Sequence, residues 1–95
     1  MHYAIVAYDK PNSLERRMAI RPDHLKHLET LGDRLLLAGP FLDEKGDMLG
    51  SFMVITADSQ EDAEATFGRD PFVKQGLFDS ITIKPWKLGI NNTSK

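Results

Sequence analysis

The chain has 95 residues, 41% of them hydrophobic and 27% charged, with a formal net charge of −2. That length suits one domain, that balance suits an ordinary globular protein, and the slight acidic excess argues against nucleic acid, which asks for a basic surface. There is no cysteine, so disulfides, thiolate nucleophiles and thiolate metal sites are excluded; no apolar run nears membrane-spanning length, and the expectation is a cytoplasmic protein without membrane contact.

Tyr3 to Tyr8 is apolar on both parities and rich in strand formers, which predicts a central strand covered on both faces. Asp9 ends it, and Lys10-Pro11-Asn12 is a turn. Asn12 and Glu15 match a capping box, opening a short helix over Ser13 to Ile20. Pro22 suits a first helical position and restarts the helix to Leu31, with Gly32 just past its end. On that helix Leu25, Leu28 and Leu31 span an arc of about 120°, a normal core-facing stripe. His24 projects inside the same arc, where the pattern asks for an apolar residue.

Arg34 to Ala38 reads as a second buried strand, stopped by Gly39-Pro40. Phe41 to Gly50 reads as a hairpin loop, and Ser51 to Ala57 as a third strand. Ser59, with Asp62 three residues on, caps a second helix that presents Ala63 and Phe67 and ends at Gly68. Asp70 as cap and Pro71 at the first position open a further short turn, ended by Gly76. Phe78 to Trp86 is a fourth strand, and Gly89 to Lys95 a frayed polar tail.

The order β-α-β-β-α-β predicts an α+β, ferredoxin-like fold: a four-stranded antiparallel sheet with helices on one face. The other face is then bare. Strands one to three are apolar on both parities, and an open apolar face predicts a partner. A homodimer, sheet packed on sheet, is the expectation.

His24 is the first candidate for chemistry. A core histidine held neutral by a hydrogen bond is one reading; a general base or acid is the other, because imidazole titrates near neutrality. A histidine base needs a carboxylate to fix its tautomer. Asp9, at the carboxyl end of strand one, and Asp70, beside strand four, both qualify. Either can also be a simple cap. His24 and His27 have a spacing that suits a metal, but no third ligand is evident, so neither metal nor cofactor is expected. Arg21 can neutralise a substrate oxygen, and Ser51 can donate a hydrogen bond but lacks the context of a nucleophile. Tyr8, Phe41 and Phe72 are the aromatic residues expected to line a pocket.

Several stretches together resemble one family. They are Tyr3-Ala4-Ile5-Val6-Ala7-Tyr8-Asp9, Ser13-Leu14-Glu15-Arg16-Arg17, Arg21-Pro22-Asp23-His24-Leu25, Leu36-Leu37-Ala38-Gly39-Pro40, Gly50-Ser51, Asp70-Pro71-Phe72-Val73 with Gly76, and Ile83-Lys84-Pro85-Trp86. In this order, across residues 1–88, they resemble the YciI-like (YCII-related domain) family. The resemblance implies a single domain over that range that dimerises through its sheets. It also implies a pocket built on a histidine, which carries over to His24, and an aspartate, for which Asp70 stands ahead of Asp9. The Phe41–Gly50 loop is shorter than in many relatives, and Trp86 stands where phenylalanine is common. One branch of the family resembles a dehydrochlorinase acting on chlorinated hydroxyhydroquinones. More distant proteins of this fold include muconolactone isomerases and cofactor-free monooxygenases.

Three functions are open at this point. The first is a cofactor-free lyase or isomerase in which His24 abstracts a proton from a small oxygenated cyclic substrate. The second is a non-catalytic module binding a small metabolite in the same pocket. The third is an interaction protein whose role is its dimer face.

Overall fold

A computed structural model describes residues 1–93 of the chain; the last two residues of the expected tail, Ser94 and Lys95, lie outside the described residues. The elements are β1 (His2–Asp9), α1 (Leu14–Leu31), a 3-10 turn (Gly32–Arg34), β2 (Leu35–Leu42), β3 (Met48–Thr56), α2 (Gln60–Gly68), α3 (Pro71–Lys74) and β4 (Phe78–Trp86). All strand pairs are antiparallel, in the order β2-β3-β1-β4. This is the ferredoxin-like arrangement that the element order predicts. Gly89 to Thr93 are exposed and form neither helix nor strand.

β1 is central, with Ile5 opposite Met53 on one side and Ile83 on the other. Strand side chains alternate between faces, so Tyr3, Ile5 and Ala7 share the helix-covered face with Met53 and Ile55. Leu31 of α1 and Ala63 and Phe67 of α2 complete this core. Ile20, Phe72 and Leu77 form a smaller cluster where α1 meets α3.

α1 departs from expectation in three ways, the first at its start, where Ser13 and not Asn12 is the cap residue and makes no side-chain cap bond. It is one continuous helix with Pro22 inside it, not two helices with Pro22 at a start. An interior proline forfeits a backbone hydrogen bond and crowds the preceding turn, a cost of about 3 kcal/mol. Burial of one long stripe offsets that cost. The buried residues are Arg17, Ile20, His24 and Leu31. At 100° per residue they fall within about 40° on one side of His24 and about 20° on the other. The stripe is therefore centred on His24 and not on the leucines. Leu25 lies about 100° away from it and is 41% exposed.

β2 is also different. It runs on through Gly39 and Pro40 to Leu42, and it is an exposed edge strand, not a buried one. An edge position tolerates proline, because one row of backbone groups has no ladder to complete. The hairpin loop shrinks accordingly to the residues around Asp43, whose Oδ1 accepts from the backbone N–H groups of Lys45 and Asp47 at 2.8 and 3.0 Å.

The face away from the helices is divided. On its β4 side Ser80, Thr82 and Lys84 stand opposite Tyr8, Val6 and Ala4. On its β2 side it is apolar, with Leu37, Phe41, Phe52 and Val54. Tyr8 and Phe41 stack with ring centroids 5.3 Å apart, across the intervening Gly50. A Cβ on Gly50 would lie 2.6 Å from the Ala7 carbonyl oxygen and 3.2 Å from each ring. Gly50→Ala is expected to lower stability by roughly 1–3 kcal/mol through this overpacking, measured by urea denaturation.

Candidate active site

α3 is a single helical turn, and Asp70 is its cap: Oδ1 accepts from the Phe72 N–H at 2.9 Å. The other oxygen, Oδ2, lies 2.7 Å from His24 Nδ1. One carboxylate thus caps a helix and holds a histidine at the same time. Both groups are buried, Asp70 almost completely. An ionised carboxylate only accepts, so against an ionised Asp70 the Nδ1 atom is the donor, and a neutral imidazole then has its lone pair on Nε2. Phe72 stacks beneath the imidazole at 4.2 Å between centroids. Hydrogen bond and stacking together fix the ring in two directions.

Asp9, the alternative partner for His24, is engaged elsewhere. It receives a two-pronged contact from Arg17, Nε to Oδ2 at 2.7 Å and Nη2 to Oδ1 at 3.2 Å. Arg17 Nη2 also donates to Ser51 Oγ at 2.6 Å. The Arg17 guanidinium sits over the Phe72 ring, 4.5 Å from its centroid. Arg17 is 1% exposed, and sequence reasoning missed it. The available signal was its spacing: seven residues from His24 is two helical turns, on the same face.

Arg17, Arg21, His24 and Ser51 line one cavity of about 110 Å³ between α1 and the β2–β3 hairpin. Leu25, Leu28, Ala38, Gly39, Pro40, Phe52 and Met53 supply the rest of its wall. An apolar cavity of about 150 Å³ holds one benzene, so this smaller space takes part of one small ring. Two wider depressions exist. One, near Trp86 and Met1, lacks an acid–base pair; the other, formed by Tyr8, Asp9 and the Asp43 and Asp47 loop, does not include His24.

The expected site residues therefore divide. His24, Arg21 and Ser51 come together at the cavity, with Asp70 behind His24. Phe72 is fully buried under His24 and does not line the space. Tyr8 and Phe41 belong to the opposite sheet face, because period-two alternation turns them away from the helices. Among the described residues no group of three or more histidine, aspartate or glutamate side chains is assembled for a metal. His27 titrates below the ordinary 6.5, because burial disfavours its charged form more than the nearby Asp70 favours it.

A model of the YCII-related domain family matches residues 1–87. Protein YciI from Escherichia coli O6:H1 is 39% identical, over 92% of this chain and 97% of its own. A protein from Haemophilus influenzae is 35% identical with the same coverage. The chain belongs to the YCII-related domain family. Among solved structures it is similar to the 5-chloro-2-hydroxyhydroquinone dehydrochlorinase TftG of Burkholderia phenoliruptrix AC1100, in complex with 2,5-dihydroxybenzoquinone. That similarity has a TM-score of 0.86 and 34% identity, covering 94% of this chain and 96% of the other. An antibiotic biosynthesis monooxygenase shares the fold alone, with a TM-score of 0.58, 11% identity and coverage of 95% and 100%.

Asp70→Asn keeps the cap but offers an N–H to Nδ1, and is expected to move the His24 proton to Nε2, visible in imidazole nitrogen shifts. Asp70→Ala loses cap and partner together and is expected to be about 1–3 kcal/mol less stable than Asp70→Asn in denaturant. For His27, whose folded value is lowered, the unfolded chain takes up the proton first as pH falls. Its contribution to stability is full above 6.5 and is lost below it. Wild type is expected to lose stability relative to His27→Gln between pH 7.5 and pH 5.5 in matched urea titrations.

Proposed function

We propose that this protein is a cofactor-free acid–base enzyme acting on a small oxygenated cyclic substrate. The observation that carries this reading is the His24 Nδ1–Asp70 Oδ2 contact of 2.7 Å at the wall of a small cavity. A neutral imidazole oriented by a buried carboxylate is a general base, and the carboxylate stabilises the imidazolium that forms. In this reading Nε2 takes a proton from the ring or its hydroxyl group, and the electron pair left behind moves onto a ring oxygen. Arg21 and Ser51 face that developing charge. The step completes by transfer of a proton to the ring carbon that bears a leaving group, which then departs with its bonding electron pair as a second ring oxygen becomes a carbonyl, or by return of the proton to another ring atom. The similarity to a dehydrochlorinase supports the first outcome.

The test is chloride release from 5-chloro-2-hydroxyhydroquinone. His24→Gln is expected to lower it by a factor of roughly 10²–10⁴. A folded His24→Gln protein with full turnover would end the assignment, and binding without turnover in wild type would make the pocket a binding site only.

A homodimer through the open sheet face is part of the same proposal. Leu37 and Tyr8 on that face are 41% and 45% exposed, and apolar patches of this kind are covered by partners. Sedimentation is expected to give a dimer, and Leu37→Glu a monomer; a stable wild-type monomer at micromolar concentration would refute the dimer.

A further inference from the structure

Arg17 poses a question that the His24–Asp70 pair does not answer. A guanidinium buried in the core costs several kcal/mol unless its charge and its N–H groups are matched. Asp9 matches the charge. The third contact, to Ser51, has a geometric consequence. A guanidinium donates and never accepts, so Ser51 Oγ accepts from Arg17, and the hydroxyl proton must point away from it. Among the described residues Ser51 Oγ has no other hydrogen-bond partner. Its residue lines the same cavity as His24. The free proton is therefore available to the cavity, and a hydroxyl that accepts from a cation is a stronger donor in turn.

Arg21 stands about one turn along α1 from Arg17 and lines the same space. Among the described residues no carboxylate lies within salt-bridge distance of it. The cavity thus presents one unneutralised cation and one aligned hydroxyl, together with the imidazole of His24.

We propose that Arg17 is a positioning residue. Held by Asp9, it fixes Ser51 as a hydrogen-bond donor, so that the cavity selects a ring carrying an ionised oxygen, an enolate or phenolate, seated between Ser51 and Arg21. This inference rests on the reading of His24 as the acid–base group of the same cavity. The competing role for Arg17 is purely structural: an ion pair that ties α1 to β1. In that case the hydroxyl of Ser51 is immaterial to any ligand.

Two quinones separate the two roles. 2,5-Dihydroxybenzoquinone is acidic and ionised at neutral pH; 2,5-dimethoxybenzoquinone has the same ring and cannot ionise. Calorimetry on the full chain at pH 7 is expected to show the ionised quinone bound at least tenfold more tightly. Ser51→Ala leaves the Arg17–Asp9 pair in place and is expected to weaken the ionised quinone by roughly ten- to hundredfold, and the dimethoxy compound by much less. Arg17→Lys keeps the charge but not the fork. It is expected to lose the same preference, and Arg17→Lys with Ser51→Ala to lose no more than the worse single variant. If Arg17→Lys does not fold, Ser51→Ala alone decides. Unaltered binding of the ionised quinone by Ser51→Ala, equal affinity of wild type for both quinones, or no binding of either would overturn the proposal. These are measurements of binding alone. Chloride release undiminished in His24→Gln counts against the base, and leaves the binding preference to be judged by itself.

Discussion

The molecule is organised around a buried ion pair. Arg17 and Asp9 carry opposite charges into a region almost closed to water, with side chains 2% and 5% exposed. Such a pair is weak evidence for stability, because desolvation offsets much of the attraction. What it supplies is placement. Asp9 ends β1 and Arg17 lies in the first turns of α1, so the pair fixes how the helix starts across the sheet. From that start, helical periodicity brings His24 under the same face two turns later. Asp70 and Phe72, from α3, and Ser51, from β3, then meet α1 from two other places in the chain.

The rotation of α1 explains why the leucine pattern misleads. Leu25, Leu28 and Leu31 form a plausible stripe, yet the buried stripe holds an arginine and a histidine. A charged residue in a helix is exposed unless something pairs with it, and nothing within a few residues of Arg17 reveals its partners. Asp9 is eight residues away and Ser51 thirty-four. Such pairing is legible only once the sheet is assembled. Pro22 misleads for a related reason. Proline is favoured at a helix start, and only tertiary burial makes an interior position tolerable.

Other features were legible because their signals are local. Turn residues punctuate the chain, so the order of elements follows from Lys10-Pro11-Asn12, Gly32, the Phe41–Gly50 loop and Asp70-Pro71. His24 was conspicuous as a polar residue among leucines, and Asp70 as a cap that could serve a second partner. The aromatic residues show the limit. Alternation reveals that β1 has two apolar faces but not which one the helices cover, so the sequence does not show that Tyr8 and Phe41 belong to the side away from the cavity.

The candidate site draws on β1, α1, β3 and α3, and its decisive contacts join residues eight, thirty-four and forty-six positions apart. None of these contacts survives within a single isolated element. A collapsed chain with native helices but loose packing would hold His24 and Arg17 on a helix, with neither aspartate in reach. The candidate site is therefore tied to the completed tertiary structure, and it is a sensitive reporter of whether the chain is folded throughout.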